Sequence, residues 1–170
     1  MKYNILKNLS YLFFTLALSI SFVSCEKVES VPDESDIVAE DMMGSWYVEF
    51  LVDGADVYGL GLNKINTYNT SANDGNFMWI DDNANLWEFK VKCPINPSDQ
   101  TFSGTGLYSN VDGYEVDVNI TNGKITKDGI TSPSGQTTYK IDFEAEFSDD
   151  PGTIYQLVGY RYTGLAGDQP

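Results

Sequence analysis

The sequence predicts an all-β protein in which an up-and-down antiparallel meander closes into a β-barrel of eight to ten strands. From residue 44 onward, apolar and polar side chains alternate with a period of two, the pattern of strands with one buried face. Turn-forming pairs separate the alternating stretches, and no helical period follows residue 44. Because neighbouring strands are joined by short turns, closing the sheet is the way to remove its edges.

The N-terminal segment predicts export. Lys2 and Lys7 precede an apolar stretch at 9–20, which is too short for a transmembrane helix. Phe22-Val23-Ser24-Cys25 resembles the lipobox of bacterial lipoproteins, with Phe22 where leucine is usual. We therefore expect residues 1–24 to be a signal peptide that is removed, and Cys25 to be the acylated N-terminus. That anchor predicts a cell-envelope protein, held at the outer membrane on either face.

An acidic tether is predicted between the anchor and the barrel. Together with Cys25 it makes up residues 25–43, and the stretch 26–43 holds seven acidic residues and one lysine, without aromatics. Residues 35–40 are expected to form a short capped helix that leads into the barrel. The barrel itself is predicted over residues 44–164, followed by a C-terminal tail at 165–170.

The net charge and the number of cysteines limit which partners and which disulfides are possible. The leader contains two lysines and no acidic residue, so its removal takes the formal net charge from −15 to −17. Such a chain repels nucleic acid, which is excluded as a partner. If Cys25 is acylated, Cys93 has no disulfide partner, and we expect it to be a half-buried residue at a strand end.

The barrel strands each present one apolar face. The apolar sets are Trp46, Val48, Phe50 and Val52; Trp87, Phe89 and Val91; Tyr114, Val116, Val118 and Ile120; Tyr139, Ile141, Phe143, Ala145 and Phe147. The predicted turns between strands are Asp53-Gly54, Asp74-Gly75, Asp112-Gly113, Asn122-Gly123, Asp128-Gly129 and Pro151-Gly152.

The first and last strands carry a recognisable combination. Gly44-Ser45-Trp46 resembles the Gly-x-Trp motif at the first strand of lipocalins and their calycin relatives. In that superfamily a basic residue from the last strand packs across the tryptophan and closes one end of the barrel. The single arginine, Arg161, lies in the last predicted strand. Counted by alternation, it falls on the face opposite Tyr160, so we expect it to reach around the barrel end to Trp46.

Longer segments resemble one specific family. They are Thr67-Tyr68-Asn69-Thr70, Met78-Trp79-Ile80-Asp81, Thr131-Ser132-Pro133-Ser134-Gly135, Phe147-Ser148-Asp149-Asp150-Pro151-Gly152-Thr153 and Gly159-Tyr160-Arg161-Tyr162-Thr163-Gly164. The chain is similar over 44–164 to the lipocalin-like lipoproteins of Bacteroidota catalogued as "lipid-binding putative hydrolase". The resemblance implies the barrel fold and suggests a lipid ligand. It carries over no catalytic residues.

The residue content offers no catalytic set and favours a binding protein over an enzyme. The chain has no histidine and no Gly-x-Ser-x-Gly elbow, which excludes a serine triad. Residues 81–92 place Asp81, Asn83 and Asn85 as in a calcium loop, but Leu86 and Lys92 replace the required glycine and glutamate. We predict no metal and no cofactor. A carboxylate pair for glycoside hydrolysis stays open, because 25 acidic residues always offer pairs.

Three functional hypotheses follow. The first is a barrel that binds a lipid or another apolar small molecule in a modest pocket opening away from Trp46, with the ligand-binding candidates Trp79, Trp87, Phe89, Tyr139 and Phe143. The second is a surface module that recognises glycan or protein through the exposed aromatics Tyr47, Tyr108 and Tyr155. The third is a hydrolase of unknown type. Plain core packing is an equally good account of the inward aromatics.

Overall fold

Eight antiparallel strands, each paired with its neighbours in sequence, close into a barrel when the last strand pairs with the first. The strands are β1 Gly44–Val52, β2 Asn63–Asn69, β3 Phe77–Asp81, β4 Lys90–Asn96, β5 Thr101–Val111, β6 Tyr114–Thr131, β7 Thr137–Phe147 and β8 Tyr155–Arg161. This confirms the predicted fold class. The computed structural model describes residues 37–170; the predicted signal peptide, Cys25 and the tether up to residue 36 lie outside the described residues.

The core confirms the predicted alternation. Along β1, Trp46, Val48 and Phe50 are fully buried, while Glu49 between them is exposed. Along β7, Ile141, Phe143, Ala145 and Phe147 are fully buried. The alternation of apolar and polar side chains along each strand therefore gives the barrel an apolar interior and a polar outer wall.

The seam between β1 and β8 closes the barrel. Seven residue pairs join the two strands, from Trp46 opposite Arg161 to Val52 opposite Tyr155. Gly159 lies opposite Val48, and a Cβ atom added to it would stand 1.9 Å from the carbonyl oxygen of Tyr47. No side chain fits there, so this glycine lets the two backbones approach closely.

Two of the predicted turns are wrong. Asn122-Gly123 and Asp128-Gly129 lie inside β6, which runs for 18 residues without a break. Asn122 has φ 55° and Asp128 has φ 53°, and the β6–β7 register shifts at both places. The positive φ that such pairs supply here creates β-bulges, which bend a long strand around the barrel instead of reversing it.

Two element predictions also need correction. A short helix is expected at 35–40, and the structure describes residues 37–40 of that range. The helix found there is a 3-10 helix at Glu40–Met42. Trp87 and Phe89 lie in the loop before β4, not in a strand, although Phe89 is fully buried as expected. A second 3-10 helix, Ala166–Asp168, follows β8. Among residues 37–170, no helix is long and apolar enough to span a lipid bilayer.

The meander gives the barrel two distinct ends. The loops 53–62, 82–89, 112–113 and 148–154 follow odd-numbered strands and meet at one end, which we call the aromatic end. The loops 70–76, 97–100 and 132–136 meet at the other, together with the start of β1 and the end of β8. We call this the capped end, because the 3-10 helix Glu40–Met42 leads into β1 there.

Candidate functional site

The capped end is organised around the guanidinium of Arg161. Its central carbon lies 5.5 Å from the ring centroid of Trp46 and 4.6 Å from that of Tyr139. Nη2 of the same side chain donates to the carbonyl oxygen of Glu40 at 3.1 Å. A cation between two aromatic rings is favoured by the rings' electron-rich faces. Burial lowers the pKa of Arg161 from its ordinary value.

Strand parity places Arg161 differently from the sequence prediction. In β8 the inward face carries Tyr155 and Leu157, both fully buried, and Arg161 continues that face at the barrel end. The arginine therefore points inward and needs no detour to meet Trp46, its partner across the seam. Gly44 makes room for it, because a Cβ atom there would lie 2.6 Å from Nε of Arg161.

Hydrogen bonds lock the residues around the cap. Nε1 of Trp46 donates to Oγ1 of Thr67 at 2.8 Å, and that hydroxyl donates to the carbonyl oxygen of Met42 at 2.7 Å. The hydroxyl of Tyr139 donates to Oδ1 of Asp41 at 2.5 Å, which raises the pKa of the tyrosine. The chain itself thus satisfies these donors at the capped end.

The aromatic end is filled by stacked rings. Phe50 stacks on Tyr155 with ring centroids 4.5 Å apart, and Trp87 stacks on Phe147 at 4.7 Å. Trp87 also contacts Tyr155 at 5.1 Å, which joins the two pairs into one cluster. Tyr58 from the loop 53–62 extends the cluster, since its hydroxyl lies 3.2 Å from that of Tyr155.

Two adjacent carboxylates tie this cluster together. Asp149 accepts a hydrogen bond from Nε1 of Trp87 at 3.2 Å and another from the hydroxyl of Tyr114. Burial alone would raise the pKa of Asp149, but these hydrogen bonds outweigh it and lower the pKa. Asp150 accepts from the hydroxyl of Tyr155, whose pKa is raised by burial and by that hydrogen bond.

A buried carboxylate shapes the loop 82–89. Oδ1 of Asp82 accepts from the amides of Ala84 and Phe89 at 2.9 and 3.0 Å. Oδ2 accepts from the amides of Leu86 and Trp87 at 3.2 and 2.7 Å. Burial raises the pKa of Asp82, against the opposing effect of these four donors. The loop is therefore held in one conformation, which fixes Trp87 at the barrel mouth.

A cavity and an apolar rim lie beside the cluster. Leu86, Trp87, Glu88 and Tyr114 line a cavity of about 270 Å³ that opens to solvent. Large apolar side chains stand exposed on two loops of the same end: Val57 at 58%, Tyr58 at 53%, Leu60 at 42% and Ile154 at 47%. Four large apolar side chains are thus exposed at the same end of the barrel as this cavity.

The five predicted ligand-binding residues do not share a pocket. Trp79 lies on the outer wall beneath Lys90, whose Nζ is 5.5 Å from its ring, so its predicted inward position is wrong. Tyr139 belongs to the capped end, eight positions along β7 from Phe147 at the aromatic end, which is about 26 Å of extended strand. Alternation identifies a face but not a height along the barrel, which explains why it groups Tyr139 with Trp87.

The remaining predicted residues divide between core and mouth. Phe89 and Phe143 are fully buried, and Trp87 alone of the five lines the cavity at the aromatic end. Two other cavities, of about 300 and 230 Å³, lie on the surface around 37–42 and 94–103. None of these three described cavities is lined by Phe89, Phe143 or Tyr139.

Two further predictions are corrected by burial. Tyr155, predicted to be an exposed recognition residue, is fully buried, because the inward face of β8 is the odd-numbered one. Tyr108 is exposed as expected, and Tyr47 is partly buried. Cys93 is fully buried instead of half-buried, and burial raises the pKa of its thiol to about 12.

Sequence reasoning missed the residues that hold the aromatic end together. The sequence does not identify Asp82, Asp149 or Tyr58 as site residues, although each makes a contact on which the cluster depends. The partners are 62 positions apart for Trp87 and Asp149, and 97 for Tyr58 and Tyr155. A polar residue in a loop gives no local signal of a partner at that separation.

The chain matches the sequence profile of one protein family. A family sequence profile described as "Lipid-binding putative hydrolase" matches residues 31–166 of the 170-residue chain. Among curated proteins, no sequence matches the chain. The profile match includes every strand of the barrel and both of its ends. Because it extends over more than half of the chain, the protein belongs to the family described as "Lipid-binding putative hydrolase".

Proposed function

We propose that this protein is a membrane-anchored lipoprotein whose barrel binds a lipid or another apolar small molecule at the aromatic end. The single observation that carries the proposal is the combination there of a solvent-open cavity with a rim of exposed apolar side chains. Membership of a lipid-binding family supports the same chemistry. The ligand lies at the mouth of the barrel and not within its interior.

The packing explains why the mouth is the binding surface. Phe50, Phe147 and Tyr155 fill the barrel immediately below the cavity and are fully buried. An acyl chain therefore contacts the outer edge of this cluster together with Val57 and Leu60. Each fully covered apolar side chain contributes about 1.5–3 kcal/mol, so a few such contacts give useful affinity.

The anchor and the capped end complete the proposal. An acylated Cys25 holds the barrel at a membrane surface, where lipids are the abundant apolar ligands. Gly44, Trp46 and Arg161 support a relationship to lipocalins and other calycins, in which the same combination closes one barrel end. The outer membrane of a bacterial cell envelope is the location we infer. Replacing Cys25 with alanine should abolish membrane fractionation; a variant that still sediments with membranes after a salt wash overturns the anchor.

Lipid binding is tested with a matched pair of tryptophan variants. Native mass spectrometry of the chain should reveal a bound lipid, and titration with fatty acids and lysolipids should change tryptophan fluorescence. Trp87→Ala removes a wall of the cavity and should weaken binding about tenfold or more, as expected for loss of a buried aromatic contact. Trp79→Ala, on the outer wall, is the control and should bind as the parent does.

The alternatives give distinct results. If no lipid in the panel shifts fluorescence or melting temperature, the lipid-binding proposal is wrong. Exposed Tyr108, 58% accessible on β5, then becomes the place to test for recognition of glycan or protein. If lipids bind equally well to Trp87→Ala and the parent, the ligand binds elsewhere than at the aromatic end.

A further inference from the structure

The four loops of the aromatic end carry acidic residues and no basic ones. Their carboxylates are those of Asp53, Asp56, Asp82, Glu88, Asp112, Asp149 and Asp150. At the capped end, by contrast, Arg161 and Lys127 both lie against the ring of Tyr139. An anionic group that approaches the aromatic end meets like charge on every loop, whereas a cation is attracted.

The cavity offers aromatic rings and a carboxylate, the usual surroundings of an organic cation. Trp87 and Tyr114 line it together with Glu88 and the apolar Leu86. The face of an indole or phenol ring attracts an ammonium group, and quaternary ammonium ligands are typically bound in such aromatic settings. An adjacent carboxylate adds direct charge complementarity to this attraction.

The donors that an anion would need are already engaged. Nε1 of Trp87 and the hydroxyl of Tyr114 both donate to Asp149. Four amides of the loop 82–89 donate to Asp82. A phosphate or carboxylate bound here would have to break these hydrogen bonds, whereas an ammonium group uses the ring faces and leaves the hydrogen bonds in place.

The outer wall shows the same pairing satisfied from within the chain. Nζ of Lys90 lies 5.3 Å from the ring of Tyr68 and 5.5 Å from that of Trp79. Nζ of Lys92 lies 4.3 Å from the ring of Phe77. The loops of the aromatic end contain no lysine or arginine, so a ligand is the source we consider for a cation beside Trp87.

We propose that the cavity lined by Trp87, Glu88 and Tyr114 binds the ammonium group of an amine-bearing lipid headgroup. This inference rests on the proposed lipid-binding function and names the headgroup class. The ammonium group lies in the cavity, and the acyl chain extends over the apolar rim at Val57 and Leu60. Asp149 acts as a positioning residue, because it holds Trp87 and Tyr114 and does not itself line the cavity.

Lysolipids with one acyl chain and different headgroups test the proposal. Lysophosphatidylethanolamine and lysophosphatidylcholine carry an ammonium group, whereas lysophosphatidylglycerol has the same phosphate without it. Calorimetric titration of the mature chain should show the two ammonium lipids binding about tenfold more tightly, the size of a well-placed cation–π contact. That preference should shrink with added salt, because the Glu88 carboxylate in the cavity is exposed to solvent.

A charge-removing variant locates the effect. Glu88→Gln keeps the size of the side chain and should reduce the preference for ammonium headgroups severalfold. Glu49→Gln, on the exposed outer face of β1, is the matched control and should leave the preference unchanged. Equal loss in the two variants would mean that overall charge, and not this cavity, sets the preference, and would overturn the inference.

The remaining outcomes separate the inference from the proposed function. If all three lysolipids bind equally, the protein binds lipid but the headgroup inference is wrong. If none binds, the proposed function fails and the inference fails with it. Free choline and ethanolamine distinguish the source of the ammonium group: affinity equal to that of the lipids would assign the cavity to a free amine and overturn the lipid-headgroup assignment.

Discussion

The two ends of the barrel use similar residues for different purposes. At the capped end a single cation, Arg161, lies against Trp46 and Tyr139, and the chain between residues 40 and 42 supplies the hydrogen-bond partners. At the aromatic end, rings stack on one another and carboxylates hold their polar edges. The rings at the capped end are thus paired with a cation from the chain itself, whereas those at the aromatic end are paired with one another and with carboxylates.

The two ends of the barrel also differ in the length of their longest loops. At the aromatic end, loops 53–62 and 82–89 extend beyond the strands and carry the exposed apolar residues and the cavity. The capped-end loops, 70–76, 97–100 and 132–136, are each shorter than these two, although the aromatic end also contains the shortest loop, 112–113. Binding residues generally lie on loops held by a rigid scaffold, so the longer loops are where we place recognition.

The largest expected difference between the ends is in tryptophan substitutions. Trp46→Ala should lower the free energy of unfolding by about 3–5 kcal/mol, because a fully buried indole and its hydrogen bond to Thr67 are lost. Trp87→Ala should cost about 1–2 kcal/mol, since this ring is only partly buried. Chemical denaturation measures both. Equal costs would mean that the two ends contribute alike to stability.

The second prediction concerns the carboxylate beneath the aromatic end. Asp82→Ala leaves four loop amides without their acceptor and should cost about 3 kcal/mol. The loop should also loosen, with a shift in Trp87 fluorescence and weaker lipid binding. Glu49→Ala, at an exposed position, should change stability by no more than about 0.5 kcal/mol. A well-ordered loop in the Asp82 variant would show that packing alone holds Trp87.

A smaller effect is expected from filling the space beside the arginine. Gly44→Ala places a Cβ atom 2.6 Å from Nε of Arg161 and should cost about 1–3 kcal/mol by displacing the guanidinium from Trp46. Gly167→Ala is the matched control, since its Cβ atom would meet Ser134 at an ordinary 3.5 Å. Thermal unfolding of both variants measures the difference. If both melt as the parent does, the cap tolerates a shifted arginine.

The smallest predicted effect is a dependence of stability on acid at the capped end. Burial alone would raise the pKa of Asp168, but hydrogen bonds from the Ser134 amide and the Thr163 hydroxyl lower it below the ordinary 3.8. A lowered pKa means that the ionised form stabilises the fold above pH 3.8, and that this contribution is lost as pH falls further. Asp168→Asn should make the melting temperature less dependent on pH in that acid range. If the pH dependence of the melting temperature is unchanged, ionised Asp168 does not contribute to stability in this range.

The sequence alone determined the class of fold. Period-two alternation is a local property, and it specifies which face of each strand is buried wherever one face meets the core. The same alternation, with turn pairs between stretches, predicted the meander and its closure. The capped end was also predictable, because a motif at the first strand and the only arginine in the last strand become neighbours once the barrel closes.

Some errors arose where one local signal has two structural uses. Asn122-Gly123 and Asp112-Gly113 carry the same preference for positive φ, yet the first pair forms a bulge and the second a hairpin turn. Which of the two forms depends on whether the chain continues along the same strand, as β6 does while it pairs with β7, or reverses into a new strand. That depends on contacts with a strand that lies elsewhere in the chain.

Only the tertiary structure decided what the aromatic end contains. Trp87, Asp149 and Tyr155 come from separate loops and strands, and their contacts join positions many residues apart. The height of a residue along the barrel depends on strand register and tilt, which the alternation of side chains does not specify. For that reason Tyr139 and Trp87, equivalent by alternation, lie at opposite ends: the first completes a cap, and the second lines the cavity.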